Sequence, residues 1–208
     1  MEDILEVYAR EFDPQRLLVC MDEFSKQLLS DPTPSLPMTP NSSAKQDYEY
    51  IREGCISSFI FARPHDGLRH IYTSPSGKRT THDWAHSIKY LVDEIHPDAK
   101  KIVLVMDNLN THKTASLYAT FPPEEARRIA DKLEIHYMPK HGSWLNMAEI
   151  EIGKLCRSGL KDRIASQVEM EQQIETYLNR VNESPKPIQW TFTNQDARIK
   201  LKSLYPTI

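Results

Sequence analysis

KIVLVMD, Lys101–Asp107, and LLVCMD, Leu17–Asp22, share one design: a short unbroken aliphatic run closed by an acid. Apolarity without alternation suits a strand covered on both faces, in the middle of an α/β sheet. Each run would set a carboxylate, Asp107 or Asp22, at the C-terminal end of a buried strand, where open α/β sheets build their sites. One such Asp alone is as readily a turn cap. Its recurrence favours function.

Outward from these two strands the chain divides cleanly. After Asp22, DPTPSLPMTPNSSAK holds Pro32, Pro34, Pro37 and Pro40 with almost no periodicity, which predicts an irregular proline-rich loop at about 31–47. CISSFIFARP and LRHIYTS read as two strands joined by a turn at His65-Asp66-Gly67. The spacing of Trp84, Ile88, Leu91, Val92 and Ile95 predicts a helix over 82–95. PPEEARRIADKL opens with the prolines and acids of a helix start and leads into a strand, LEIHYM. SWLNMAEIEIGKLCR and VEMEQQIETYLNRVNE give two further helices, and IQWTFTNQDARIKLKSLYP a turn with a short closing helix. The 208 residues, without internal repeat, suit one domain over 1–208 and one α/β core.

Composition narrows the class. Three cysteines (Cys20, Cys55, Cys156) make neither a disulfide framework nor metal-ligand spacing, which fits a reducing cytosol. The opening MEDILEVYAR is acidic where a signal peptide is basic, and no stretch approaches the roughly 20 apolar residues of a membrane span. A soluble cytoplasmic protein is expected, with no membrane partner. A net charge of -3 gives no global argument for nucleic acid, although charge can be local.

Asp22, Asp107 and one glutamate of the helix over 143–157 would make a cluster of hard oxygen ligands, which select Mg²⁺ or Mn²⁺. Two such ions roughly 3.5–4 Å apart serve phosphoryl transfer on a phosphodiester. With 29 acids in the chain, spacing alone does not single out this triple. On the helix, Ala148, Ile152 and Leu155 form an apolar stripe with Glu149 and Glu151 on opposite edges, about 200° apart. Both cannot face one metal pair. Lys154 is a ready surface partner for Glu151, and Gly153 leaves room beside Glu149. Equally, Asn146 as N-cap would make Glu149 the third helical residue, close to a capping box without any metal.

VCMDEFSKQL, QDYEYIREGCISSFIF, VLVMDNLNTHKTASLYATFPPEEARRIADKLEIHY and PKHGSWLNMAEIEIGKLCR resemble the catalytic domain of mariner-related bacterial insertion-sequence transposases, the DDE superfamily endonucleases. The resemblance runs from about Leu17 to the closing DARIKLKSLYP. It implies a ribonuclease-H-like fold, a mixed sheet flanked by helices. It also implies a DDE set at Asp22, Asp107 and Glu149, deciding for Glu149 over Glu151, with Asn108 and His112 in supporting roles. The implied reaction is metal-dependent nicking of DNA at transposon ends, then attack by the freed 3′-hydroxyl on target DNA. Relatives carry a helix-turn-helix region before the catalytic domain, so a separate helix-turn-helix subunit or a truncated remnant is expected. The proline-rich loop stands where mariner relatives carry a clamp-like dimerisation loop, implying a homodimer. The alternatives are a catalytically silent remnant that dimerises and regulates, or a related nuclease of the same fold.

HDWAH, His82–His86, imitates the zinc motif H-E-x-x-H, but the shorter Asp83 replaces the glutamate and no obvious third ligand follows at a suitable distance, so ordinary histidines of an amphipathic helix are expected. Lys154, Arg157, Lys161 and Arg163 read as a solvated face or as a phosphate track. With Lys140 and His141, the first three are the candidate DNA contacts. Trp144 is expected to anchor in the core rather than stack on a base.

Overall fold

A computed structural model describes residues 1–205 apart from Ser35 and Gln46. Those two residues of the proline-rich stretch, and Pro206 of the closing segment, therefore lie outside the described residues. The fold begins with helix α1 (Glu2–Tyr8) and strands β1 (Arg16–Ser30), β2 (Ile51–Ala62) and β3 (Arg69–Thr73). Helix α2 (Thr81–Tyr90) ends in a wide π-helical turn, Leu91–Ile95, before β4 (Lys101–Met106). Helices α3 (Thr114–Thr120) and α4 (Pro123–Lys132), strand β5 (Leu133–Tyr137) and helices α5 (Met147–Ser158), α6 (Gln167–Glu183) and α7 (Asn194–Lys200) complete it.

The sheet order is β3-β2-β1-β4-β5. β1, β2 and β3 pair antiparallel, and β1, β4 and β5 pair parallel. The two runs that open the sequence reading are thus adjacent central strands. Alternation sends Leu18, Cys20, Val103 and Val105 to one face, packed with α1, α5 and α6, while Val19, Met21, Leu104 and Met106 meet α2, α3 and α4 on the other. Both faces are covered, which is why neither run alternates in polarity.

Two expectations need correction. Asp22 does not end its strand: β1 leaves β4 after Cys20 and continues to Ser30 as a ribbon with β2 alone. Only Asp107 follows directly on a strand end. Helices α1 and α3 went unread because seven residues, two turns, carry too little periodicity to register.

Ribbon β1–β2 bends near its tip, where pairing shifts between Leu28 and Leu29. The opposing Gly54 has φ 127°, a conformation open to glycine that accommodates the extra residue of a bulge. Beyond it the proline-rich stretch forms a finger held by isolated bridges Leu36–Lys45 and Thr39–Ser42. No helix among the described residues is long and apolar enough to cross a membrane.

A buried ion pair staples α5 to the sheet. Glu151 is completely buried, Arg69 of β3 is 4% exposed, and the two side chains bond directly. Lys154 adds a second bond to Glu151 at 2.8 Å, and Arg69 also donates to the carbonyl of Gly67 at 2.5 Å. Burial opposes the charged form of Glu151, but the bonds from Arg69 and Lys154 outweigh it and hold its carboxyl below the usual range. The expected Lys154 partnership is present, yet Glu151 is no surface residue: it shares the inward face with Met147, Ala148 and Leu155. Glu151→Ala leaves Arg69 charged and unpaired, so denaturant unfolding should show a loss of about 3–5 kcal/mol. The apolar pair Glu151→Leu with Arg69→Met should recover most of it, and equal instability in both would refute the account.

Candidate metal centre

The parallel register aligns the two aspartates. Leu18 lies opposite Val103 and Cys20 opposite Val105, where the pairing ends; Asp22 stands two residues beyond it on β1 and Asp107 directly after β4, near enough for the charge of Asp107 to act on the Asp22 carboxyl. Asn146 brings α5 to them. As N-cap its side-chain oxygen accepts from the Ala148 N–H at 3.1 Å, while its amide donates to the Met21 carbonyl at 2.8 Å and to Asp22 Oδ2 at 3.0 Å. Cap and tether are one residue. The bond goes to Ala148 rather than Glu149, and no reciprocal bond from Glu149 closes a capping box among the described residues. Glu149, in the first turn, is left exposed with its carboxylate uncommitted.

Electrostatics link the three acids. Burial, and then the charges of Glu149, Glu23 and Asp107, push the Asp22 carboxyl up to about 7, against a backbone N–H from Glu23 that favours its charge. Carboxylate oxygens are the ligands that suit a hard divalent cation, and Asp22 is half-buried among acids that raise it.

Glu23 was missed by sequence reasoning. One residue past Asp22 on a strand, it points to the opposite face and contributes through His112. His112 is 1% exposed: its Nδ1 bonds Asp107 Oδ1 and its Nε2 faces Glu23 Oε2 at 3.4 Å. Arg79 holds the other oxygen of Glu23 at 3.0 Å. Burial raises the Glu23 carboxyl above its ordinary range, with His112 and Arg79 opposing. The ring of His112 stacks on Trp84 at 5.8 Å, and its carbonyl accepts from the Tyr137 hydroxyl at 3.0 Å. Ligand atoms of Glu23, Asp107 and His112 all lie within 4.8 Å of one another, the one grouping among the described residues close enough to hold a metal as the side chains stand; Asp22, Asp107 and Glu149 are not drawn together to that degree. The signal was present in CMDE and DNLNTH, but the alternation of β1 hides that Glu23 and His112 meet.

The remaining candidates fare differently. Asn108 is exposed, as are Lys140, His141, Arg157 and Lys161, while exposed Lys154 is committed to Glu151. Arg163 ties down the finger through Asp31 at 2.5 Å and the Glu49 carbonyl at 2.9 Å. In HDWAH, His82 meets the Thr120 hydroxyl, His86 packs edge-on to Phe121, and Asp83 closes a capping box with Thr80. Trp144 departs from expectation: it is 50% exposed, because Leu145 and Met147 on either side of Asn146 take the core positions.

The family model described as DDE superfamily endonuclease matches residues 17–171, three quarters of the sequence. The chain belongs to this family. The DDE endonuclease fold is shared with two solved structures of the Mos1 mariner transposase, a paired end complex with Mn and a strand transfer complex, each with TM-score 0.56 and 12% identity. The matches cover 86% of this chain and 52% and 51% of those, so the DDE endonuclease chain spans about half their length. At that identity the likeness establishes the ribonuclease-H-like fold. No curated protein sequence matches.

Two measurements check the support of the site. Asn146→Ala removes the α5 cap, about 1 kcal/mol, and also leaves the Met21 carbonyl unbonded, so the total loss should exceed that of a cap alone. A loss under about 0.5 kcal/mol would contradict the tether. For Asp22, the folded state keeps a proton that the unfolded chain releases near 3.8, so stability falls as pH rises from there to about 7. In EDTA, Asp22→Asn should therefore melt above wild type at pH 8, with the gap closing below about pH 4. A gap independent of pH would remove Asp22 as its source.

Proposed function

We propose that this chain is the catalytic domain of a DNA transposase, cutting phosphodiesters at the ends of a mobile element and joining the freed 3′-hydroxyl to target DNA. The observation that supports this best is the setting of Asp22: two residues past the last β1–β4 pair, it is held by Asn146 at the start of α5 and lies within reach of the charges of both Glu149 and Asp107. Asp22, Asp107 and Glu149 would hold two Mg²⁺ or Mn²⁺ ions, and the Mn named for the similar Mos1 complex is consistent with that set. Bound there, the ions would activate the attacking oxygen on one side of the phosphodiester and stabilise the leaving oxygen on the other.

The chain's own contribution is positioning. Asn146 fixes one carboxylate oxygen of Asp22 and so leaves its remaining lone pairs for a ligand. His112, locked between Asp107 and Glu23 and stacked on Trp84, sets the rotamer of Asp107. Asn108 lies beside Asp107 as a further ligand-orienting or phosphate-contacting group. Exposed Lys140, His141, Arg157 and Lys161 would meet DNA phosphates, fixing its position without reading its sequence. Recognition of particular ends then falls to a separate helix-turn-helix subunit or region.

DNA is the partner on this reading, and the paired end and strand transfer complexes of the similar Mos1 transposase support it. The finger beyond β1 is where a second copy would dock in a homodimer: it exposes the apolar side chains Leu36, Met38 and Tyr48 by 62%, 77% and 84%, surface that a partner would cover.

Supercoiled plasmid incubated with Mg²⁺ or Mn²⁺ should be nicked by wild type, and nicking should fall at least 100-fold in Asp107→Ala and Glu149→Ala. Equal background in all three would sink the reading. Added Mn²⁺ should also raise the melting temperature of wild type at pH 8 and leave that of Asp22→Asn nearly unmoved. Glu149→Gln should abolish nicking with the fold intact, whereas the effect of Glu151→Gln should follow the loss of folded protein. The reverse pattern would move the ligand role to Glu151.

A further inference from the structure

We propose that Trp144 is a stacking platform for an unpaired nucleobase next to the phosphodiester at the carboxylates, an inference that rests on the function proposed above. Trp144 lies in the 3₁₀ turn Ser143–Leu145, two residues before the Asn146 that holds Asp22. Two residues span at most about 7 Å, so the backbone of Trp144 lies within that reach of the residue that holds Asp22.

Its backbone has little freedom. Leu145 is fully buried with its carbonyl bonded to the Tyr8 hydroxyl at 2.8 Å, and Asn146 is 2% exposed. On the other side the turn Pro139–Gly142 closes with a 2.9 Å backbone bond and holds His141 at φ 62°, which presents Lys140 and His141 outward.

The ring is held as well. Phe192 meets it at 5.7 Å with planes 79° apart, and Phe192 is itself fixed by the Trp190 indole N–H donating to its carbonyl at 2.9 Å. Trp190 in turn packs on Tyr8 at 5.2 Å. A T-shaped contact covers at most one indole face. The residue as a whole is 50% exposed. An anchored, half-open indole that follows an exposed lysine and histidine in the chain suits the binding of single-stranded nucleic acid, aromatic face to base and cation to phosphate. Pairing would keep a base stacked in its duplex, so the occupant is an unpaired nucleotide at a nicked or frayed end.

The test uses the whole chain and a duplex with a four-nucleotide 3′ overhang, carrying 2-aminopurine at each overhang position in turn, in Ca²⁺. Trp144→Leu keeps an apolar partner for Phe192 and removes the stacking face; Trp144→Phe restores a ring. Binding by anisotropy should weaken roughly 10-fold or more in Trp144→Leu and recover in Trp144→Phe. At one overhang position 2-aminopurine should be quenched by wild type and Trp144→Phe but not by Trp144→Leu. An abasic site there should abolish the difference between wild type and Trp144→Leu. Equal binding by the variants, no position with that quenching pattern, or a penalty that persists on abasic DNA would each overturn the proposal. Plasmid nicking without the quenching pattern fails the platform alone; the quenching pattern without nicking fails the catalytic reading.

Discussion

The side chain of Asn146 makes three hydrogen bonds, and their directions determine how the two halves of the centre meet. Its oxygen starts α5; its amide grips the carbonyl of Met21 and the carboxylate of Asp22. A cap costs a helix about 1 kcal/mol when removed, a modest contribution to stability. Here the same atoms fix the distance between a strand and a helix that are 124 residues apart in sequence. Because the cap bond goes to Ala148, Glu149 is freed from the backbone, and because α5 starts where it does, Glu149 falls in the first turn above the aspartates.

Glu149 and Glu151 show how one helix assigns opposite work to like side chains. Two positions apart, they point to opposite sides of α5: Glu151 into the protein, neutralised by Arg69 and Lys154, and Glu149 outward with no such partner. The buried pair locks α5 against rotation about its own axis, and the Asn146 tether fixes its start. Rotation by one residue, 100°, would carry Glu149 away from Asp22. Fold stability and the placement of Glu149 relative to Asp22 are therefore coupled through a buried pair formed by other side chains.

Much of this was legible in the residues. The central strands followed from LLVCM and KIVLVM, because double burial removes alternation; the α4 start followed from its prolines and acids. The length of β1 did not, since FSKQLLS reads as ordinary polar surface until its antiparallel partner is known. Burial of Glu151 was equally hidden: Arg69 lies 82 residues away, and local spacing offered only Lys154. Glu23 failed to stand out for a related reason: its partner His112, which the resemblance did single out, lies far along the chain in the segment after β4, and local spacing does not join them. Trp144 was misplaced because helix starts commonly bury an aromatic, and only the core positions of Leu145 and Met147 show that this one is excluded. Local pattern identifies elements; contacts between elements assign side chains.

Ribbon β1–β2 has a mechanical consequence. From Asp22 to Leu28 each residue of β1 is paired in unbroken register with β2, a stiff arm about 20 Å long with a carboxylate at its base and the proline-rich finger beyond its tip. The shift in pairing beside Gly54, between Leu28 and Leu29, breaks that register, so the regular ladder of the arm ends before the finger begins. The root of the finger is thus joined to Asp22 by six successive backbone pairs and one irregular step, which ties the placement of a distant loop to that of a carboxylate.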